Sequence, residues 1–131
     1  MRLIVTALLF VLGLLFLYLG AGFILDPSVT GSDFGLSARG AQGLSTIRGD
    51  MTAIFWVTGI CMIWGAWKRN GDPLVASALI MGIVFTGRLV SVALDGPYEG
   101  WHLPMAVEAL TVVLCLIGWK LLPHHDLREE G

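Results

Sequence analysis

The sequence predicts an all-α integral membrane protein, an antiparallel four-helix bundle forming a single transmembrane domain over residues 1–131. Of its 131 residues, 56% are hydrophobic and 14% are charged, and the mean hydropathy is +0.79. Soluble domains carry about 25% charged residues. The apolar residues also fall into four runs that are long enough to cross a bilayer, which takes about 20 helical residues. A net charge of −2 gives no basic face for nucleic acid, so no nucleic-acid partner is expected.

The predicted spans cover residues 3–25, 51–67, 74–94 and 101–122. The first run has no charged residue and is longer than the roughly 7–15 apolar residues of a signal peptide, so a retained span is expected. Arg88 interrupts the third run. Glu108 interrupts the fourth, and Lys120 lies near its end.

The segment 26–47, between the first two spans, is rich in glycine and proline, which predicts turns. We expect this outer loop to cover one mouth of the bundle. Its apolar side chains indicate that it lies on the membrane surface or folds back onto the helices. They are Phe34, Leu36, Leu44 and Ile47. Short polar turns at 68–73 and 95–100 connect the remaining spans.

The Lys and Arg residues in the loops and near the span ends predict that both termini are cytoplasmic, because cytoplasmic loops carry an excess of cations. Five cations lie on the predicted inner side and two on the outer side. The inner set is Arg2, Lys68, Arg69, Lys120 and Arg128, and the outer set is Arg39 and Arg48. The expected location is a bacterial inner (plasma) membrane, with multiple spans.

Two charged residues lie inside the spans at the same predicted depth. Arg88 is six residues before the end of the third span, and Glu108 is seven residues after the start of the fourth. At about 1.5 Å per residue, both lie roughly 10 Å below the same boundary. Arg48 and Asp50 open the second span at this boundary, and Asp95 closes the third. These five residues are the candidate binding residues.

Two interpretations of these charges remain open. In the first, Arg88 and Glu108 form a structural ion pair, and Arg48 or Asp95 completes a network, since unpaired charge in lipid is costly. In the second, the cluster binds or translocates a proton or a small polar or anionic solute, with an anion between the two arginines. Asp50 also suits the start of a helix, where an acid complements the dipole.

Other features of the spans favour packing over chemistry. Ala78, Gly82 and Thr86 recur every four residues, a spacing that allows close helix approach. The stripe either packs within the bundle or forms a homodimer, and we expect the bundle, because short loops already bring neighbouring spans together. Cys61 and Cys115 lie in apolar runs without a CxxC spacing, so inert thiols are expected. No histidine lies inside the spans apart from His102 at a boundary. We predict no cofactor, no metal site and no catalytic residues.

Several short elements, in order, resemble the DUF4345 family of small bacterial membrane proteins. They are Asp26-Pro27, Phe34-Gly35-Leu36, Ile47-Arg48-Gly49, Gly87-Arg88, Asp95-Gly96-Pro97 and Glu108. The resemblance covers most of the chain after the first span. It implies four helices and an inner-membrane location, and it implies no reaction. The four-span plan is also similar to DoxX-like proteins, although a shared fold does not carry function.

The first functional hypothesis is therefore a non-enzymatic structural or accessory protein of the membrane. Its expected partners are the lipid bilayer and either a second copy or a larger membrane complex. The alternative is binding or transport of a small polar or anionic solute through the charge cluster. A quinone-linked or thiol redox enzyme is the weakest hypothesis, because the sequence has no cofactor motif.

Overall fold

A computed structural model describes residues 1–123, all-helical apart from short connections. Four helices are long and apolar enough to cross a membrane, which confirms the predicted fold class. Arg128 lies outside the described residues, and the orientation across the membrane stays a prediction. The elements are α1 (Arg2–Leu25), α2 (Pro27–Asp33), α3 (Gly40–Thr46), a π turn (Ile47–Met51), α4 (Thr52–Lys68), α5 (Asp72–Asp95) and α6 (His102–Leu121).

Helices α1 and α4 pack closely in antiparallel directions. Near the middle, a Cβ atom added to Gly59 would lie 2.8 Å from the carbonyl oxygen of Gly13. Toward the end of α1, the Thr52 hydroxyl donates to the carbonyl oxygen of Gly20 over 3.4 Å. Because glycine carries no side chain, the two backbones approach more closely here than larger residues allow.

Helices α5 and α6 form the second antiparallel pair, and Leu74 joins this pair to α4. The fully buried side chain of Leu74 occupies the space beside Gly65 of α4 and Gly118 of α6. At the same end, the backbone N–H of Gly71 donates to the carbonyl oxygen of Pro123 over 2.9 Å. The connection between α4 and α5 is thereby fixed against the end of α6.

The antiparallel order places four cations at one end of the bundle, which we call the basic end. This end holds the start of α1 and the ends of α4 and α6. The segment 26–47 and the turn between α5 and α6 lie at the other end, called the opposite end. The cations of the basic end are Arg2, Lys68, Arg69 and Lys120.

The segment 26–47 contains two helices, so the prediction of turns throughout it is wrong. Asp26 caps α2 by accepting from the N–H of Val29 over 3.3 Å, and Pro27 occupies the first turn, where proline is tolerated. The segment folds back onto the bundle, as one alternative predicted. The Phe34 ring packs against the rings of Phe23 and Phe55, at centroid distances of 5.3 Å and 5.6 Å.

The second spanning helix starts earlier than its predicted boundary at residue 51. Helix α3 continues through the π turn into α4, which gives 29 helical residues from Gly40 to Lys68. A glycine lowers helix stability by about 1 kcal/mol but leaves the backbone hydrogen bond intact, so glycines alone did not end this helix. Asp50 therefore lies inside a continuous helical segment and does not cap the start of a span.

Candidate functional site

Arg88 of α5 and Glu108 of α6 form the predicted ion pair. The Nε–H group of Arg88 donates to Oε1 of Glu108 over 2.5 Å. The Glu108 side chain is 8% exposed, whereas the Arg88 side chain is 27% exposed. The acid is thus enclosed by protein, while the base reaches the bundle surface. Such pairing is expected inside a span, where an isolated charge is expensive.

The ion pair uses only part of what each side chain offers. Nη1 of Arg88 donates to the Tyr98 hydroxyl over 3.4 Å, a long contact. Oε2 of Glu108 is buried and has no hydrogen-bond partner among residues 1–123. A buried polar atom without a partner costs free energy. This oxygen could accept a hydrogen bond from a water, hydroxyl or amine that reached it.

Arg48, the second candidate arginine, lies in the π turn and is engaged elsewhere. Its Nε–H group donates to the carbonyl oxygen of Ile24 over 2.9 Å. The acceptor belongs to the last turn of α1, where carbonyl groups lack helical partners and a cation is favourable. Arg48 therefore fastens the π turn to the end of α1.

The two remaining candidate acids are exposed at the opposite end. Asp50 lies on the surface of the π turn. Asp95 accepts a hydrogen bond from the Ser91 hydroxyl, one helical turn earlier on the same face of α5, over 3.1 Å. In the part of the chain that the structure describes, no ion pair links Arg48, Asp50 or Asp95 to the Arg88–Glu108 pair. The expected extension of the pair into an ionic network by Arg48 or Asp95 is wrong.

The buried hydroxyl groups serve helix packing. The Ser77 hydroxyl donates to the carbonyl oxygen of Thr58 over 2.8 Å and so joins α5 to α4. The hydroxyls of Thr58 and Thr111 donate to carbonyl oxygens of their own helices, over 2.8 Å and 2.7 Å. Each of these hydroxyl donors is used inside the protein, which leaves none of the three to line a polar path.

Helix α5 is packed at the basic end and largely open toward the opposite end. Its buried residues are Leu74, Ser77, Ala78 and Met81, and no α5 residue after Met81 is buried. The ion pair therefore holds α5 to α6 in a region where α5 has little other burial.

The open part of α5 includes two glycines. A Cβ atom added to Gly82 or Gly87 would meet no atom within 4 Å, and Thr86 is exposed. The prediction that the stripe of Ala78, Gly82 and Thr86 packs within the bundle is therefore wrong beyond Ala78. Packing of the stripe would need a neighbouring helix against this face of α5, and among the described residues no atom comes within 4 Å of an added Cβ atom at Gly82.

Tyr98 was missed as a partner of the ion pair. A tyrosine next to a span is common at the membrane interface, so its residue type alone does not mark it as a partner of the pair. The signal that could have found it is its position in the turn directly after α5, on the side from which Arg88 reaches outward.

Cys61 is half-buried and Cys115 is buried, and both thiols are free.

The chain was compared with protein families, curated proteins and solved structures. A family model described as a domain of unknown function, DUF4345, matches residues 4–119. No curated protein and no solved structure matches the chain. The matched range contains both residues of the ion pair and nearly all of the four helices that are long and apolar enough to cross a membrane.

Proposed function

Since this chain belongs to the DUF4345 family, a domain of unknown function, its role has to come from its own residues, and we propose that it is an accessory protein of the membrane. Membership of the family predicted from the sequence is thereby confirmed, and the likeness to DoxX-like proteins stays a prediction. In this proposal, α5 packs against a transmembrane helix of another membrane protein. The expected setting is a bacterial inner membrane with both termini cytoplasmic, which the distribution of Lys and Arg supports.

The observation that carries this proposal is the pair of open glycines on α5. The described spanning helices hold eight glycines from their first to last turns, counting α4 from Thr52. At six of them a neighbouring atom lies so close that an added Cβ atom would clash with it. They are Gly13, Gly20, Gly22, Gly59, Gly65 and Gly118. At Gly82 and Gly87, an added Cβ atom would have no atom of the described chain within 4 Å. Since a glycine costs about 1 kcal/mol in a helix, close approach of a further helix is the use that fits the rest of this chain.

The sequence around Gly82 supports a helix as the occupant of this face. Gly82 lies four residues after Ala78 and four residues before Thr86, so the three small residues share one face of α5. This spacing favours close contact between helices. The flexible acyl chains of lipids do not require small residues at this spacing. A partner helix would therefore benefit more than lipid does from the small residue at Gly82.

The test is native mass spectrometry of the full chain, extracted gently from its own membrane. We expect a stoichiometric complex with one other protein for the wild type. Gly82→Leu should remove that partner without lowering the stability of the isolated chain, because a side chain at this position meets no atom of the chain and favours the helix. Ala7→Leu adds the same kind of bulk to an exposed position of α1 and serves as the matched control. A chain that runs alone, a complex containing only a second copy, or a complex that survives Gly82→Leu would contradict the proposal.

A second candidate function is binding of a small polar molecule at the Arg88–Glu108 pair. The unpartnered Oε2 of Glu108 favours it, because that atom lacks a hydrogen-bond donor. The ligand would need to donate to this oxygen and to reach it beside the partly exposed Arg88 side chain. The same mass measurement tests this candidate: a bound small molecule that is lost in Glu108→Gln and kept in Asp95→Asn would support it, and the absence of any such molecule would contradict it.

A further inference from the structure

An apolar groove runs between α1 and α4 near the basic end. Its volume is about 270 Å³. It is lined by Leu17, Ile60, Ile63, Trp64, Trp67 and Lys68. The α4 residues in this set are spaced so that they form one continuous helical face. From Ile60 to Lys68 this face extends about 12 Å along the helix axis.

The shape and chemistry of the groove fit an alkyl chain that lies parallel to the helices. Its wall is entirely apolar, so Lys68 contributes its aliphatic stem and extends its ammonium group beyond the wall. Trp64 and Trp67 are 55% and 73% exposed at this end of α4, where indole rings suit the membrane interface. The groove thus runs from the interface toward the middle of the bundle.

The charge at the mouth of the groove favours an anion. The described residues of the basic end hold four cations and one carboxylate, Asp72. Of these cations, Lys68 is the one that lines the groove, so it is the cation placed to hold an anionic group there.

We propose that this groove binds one anionic glycerophospholipid. One acyl chain lies along Ile60 and Ile63, and the phosphate lies beside the ammonium group of Lys68. Lipid tails are apolar like the wall, and a cation near the interface attracts anionic head groups. This site is independent of the proposed partner helix, because it lies between α1 and α4 and does not involve α5.

The test uses the full chain in nanodiscs made from equal amounts of phosphatidylglycerol and phosphatidylcholine with the same acyl chains. Native mass spectrometry then measures the ratio of the two lipids retained on the protein. We expect phosphatidylglycerol to be enriched on the wild type. Lys68→Gln should lower that enrichment about fivefold, the effect of one lysine near the surface. Lys120→Gln, exposed at the same end but outside the groove, should leave it unchanged.

A further pair of variants tests the acyl chain position. Ile60 is 51% exposed, so Ile60→Trp fills the groove without disturbing the core, and it should lower retention of both lipids. Leu110→Trp places the same bulk on an exposed part of α6 and should not. Equal retention of the two lipids by the wild type, an equal loss in Lys68→Gln and Lys120→Gln, or full retention in Ile60→Trp would overturn the proposal.

Discussion

Arg88 and Glu108 are joined by a single hydrogen bond from Nε to Oε1, although a guanidinium group and a carboxylate can form two. The second carboxylate oxygen is enclosed without a partner among the described residues. The two members of the pair therefore differ in what their removal leaves behind. Loss of the arginine leaves an enclosed acid, whereas loss of the acid leaves a base that can reach the surface.

This asymmetry predicts that Arg88→Ala destabilises the protein more than Glu108→Gln. Breaking a buried ion pair costs about 3–5 kcal/mol, and the partial exposure of Arg88 lowers our expectation to about 2–3 kcal/mol. Glu108→Gln keeps an acceptor for Arg88 and should cost less. The measurement is the free energy of unfolding in mixed detergent micelles, followed by circular dichroism during titration with SDS.

The exchanged pair, Arg88→Glu with Glu108→Arg, provides the internal control for this prediction. We expect it to regain part of the stability that Arg88→Ala loses, because an ion pair between α5 and α6 is restored. Wild-type stability of the single variants Arg88→Glu and Glu108→Arg would show that the pair does not stabilise the bundle.

Alanine substitutions at a closely packed glycine of α4 and at an open glycine of α5 are predicted to have opposite effects on stability. Gly59→Ala places a methyl group 2.8 Å from the backbone oxygen of Gly13 and should lower the free energy of unfolding by about 1–3 kcal/mol. Gly82→Ala meets no atom and should raise it by about 0.5–1 kcal/mol, since alanine favours the helix. Parallel SDS titrations compare the two, and effects of the same sign would contradict the described packing.

The hydrogen bond between α5 and α4 predicts a moderate loss for Ser77→Ala. The Ser77 hydroxyl is buried and donates to Thr58, and hydrogen bonds between membrane helices contribute about 0.6 kcal/mol on average, with a maximum near 1.7. Ser91→Ala removes an exposed hydrogen bond to Asp95 and should change the same unfolding free energy very little. A larger effect for Ser91→Ala would mean that the exposed end of α5 is held more firmly than its burial indicates.

The separate partner of Arg48 predicts that it acts independently of the ion pair. Arg48→Gln should cost about 0.3–1 kcal/mol, the usual contribution of a cation at a helix C-terminus. Combined with Glu108→Gln, its effect should add within about 0.3–0.5 kcal/mol, because the two residues share no partner. A double-mutant cycle measures this coupling, and a value well above that range would restore Arg48 to a common charge cluster.

The sequence by itself determined that the chain has four helices long and apolar enough to cross a membrane. Hydropathy and run length are sufficient for this, because the bilayer core sets the length that an apolar helix needs. It also predicted that Arg88 and Glu108 lie at the same depth, with an ion pair between them as one of two interpretations. The short turn after α5 brings the two helices back in antiparallel directions, so equal distances from the turn give equal depth.

Only the tertiary structure decided which way each helix face points. Within a membrane, a face that contacts lipid and a face that contacts another helix are both apolar, so periodicity does not separate them. The absence of buried α5 residues after Met81 and the open space beside Gly82 therefore could not be predicted from spacing. The partner of Arg48 was equally hidden, since it is a backbone carbonyl of α1 and backbone acceptors leave no mark in the sequence.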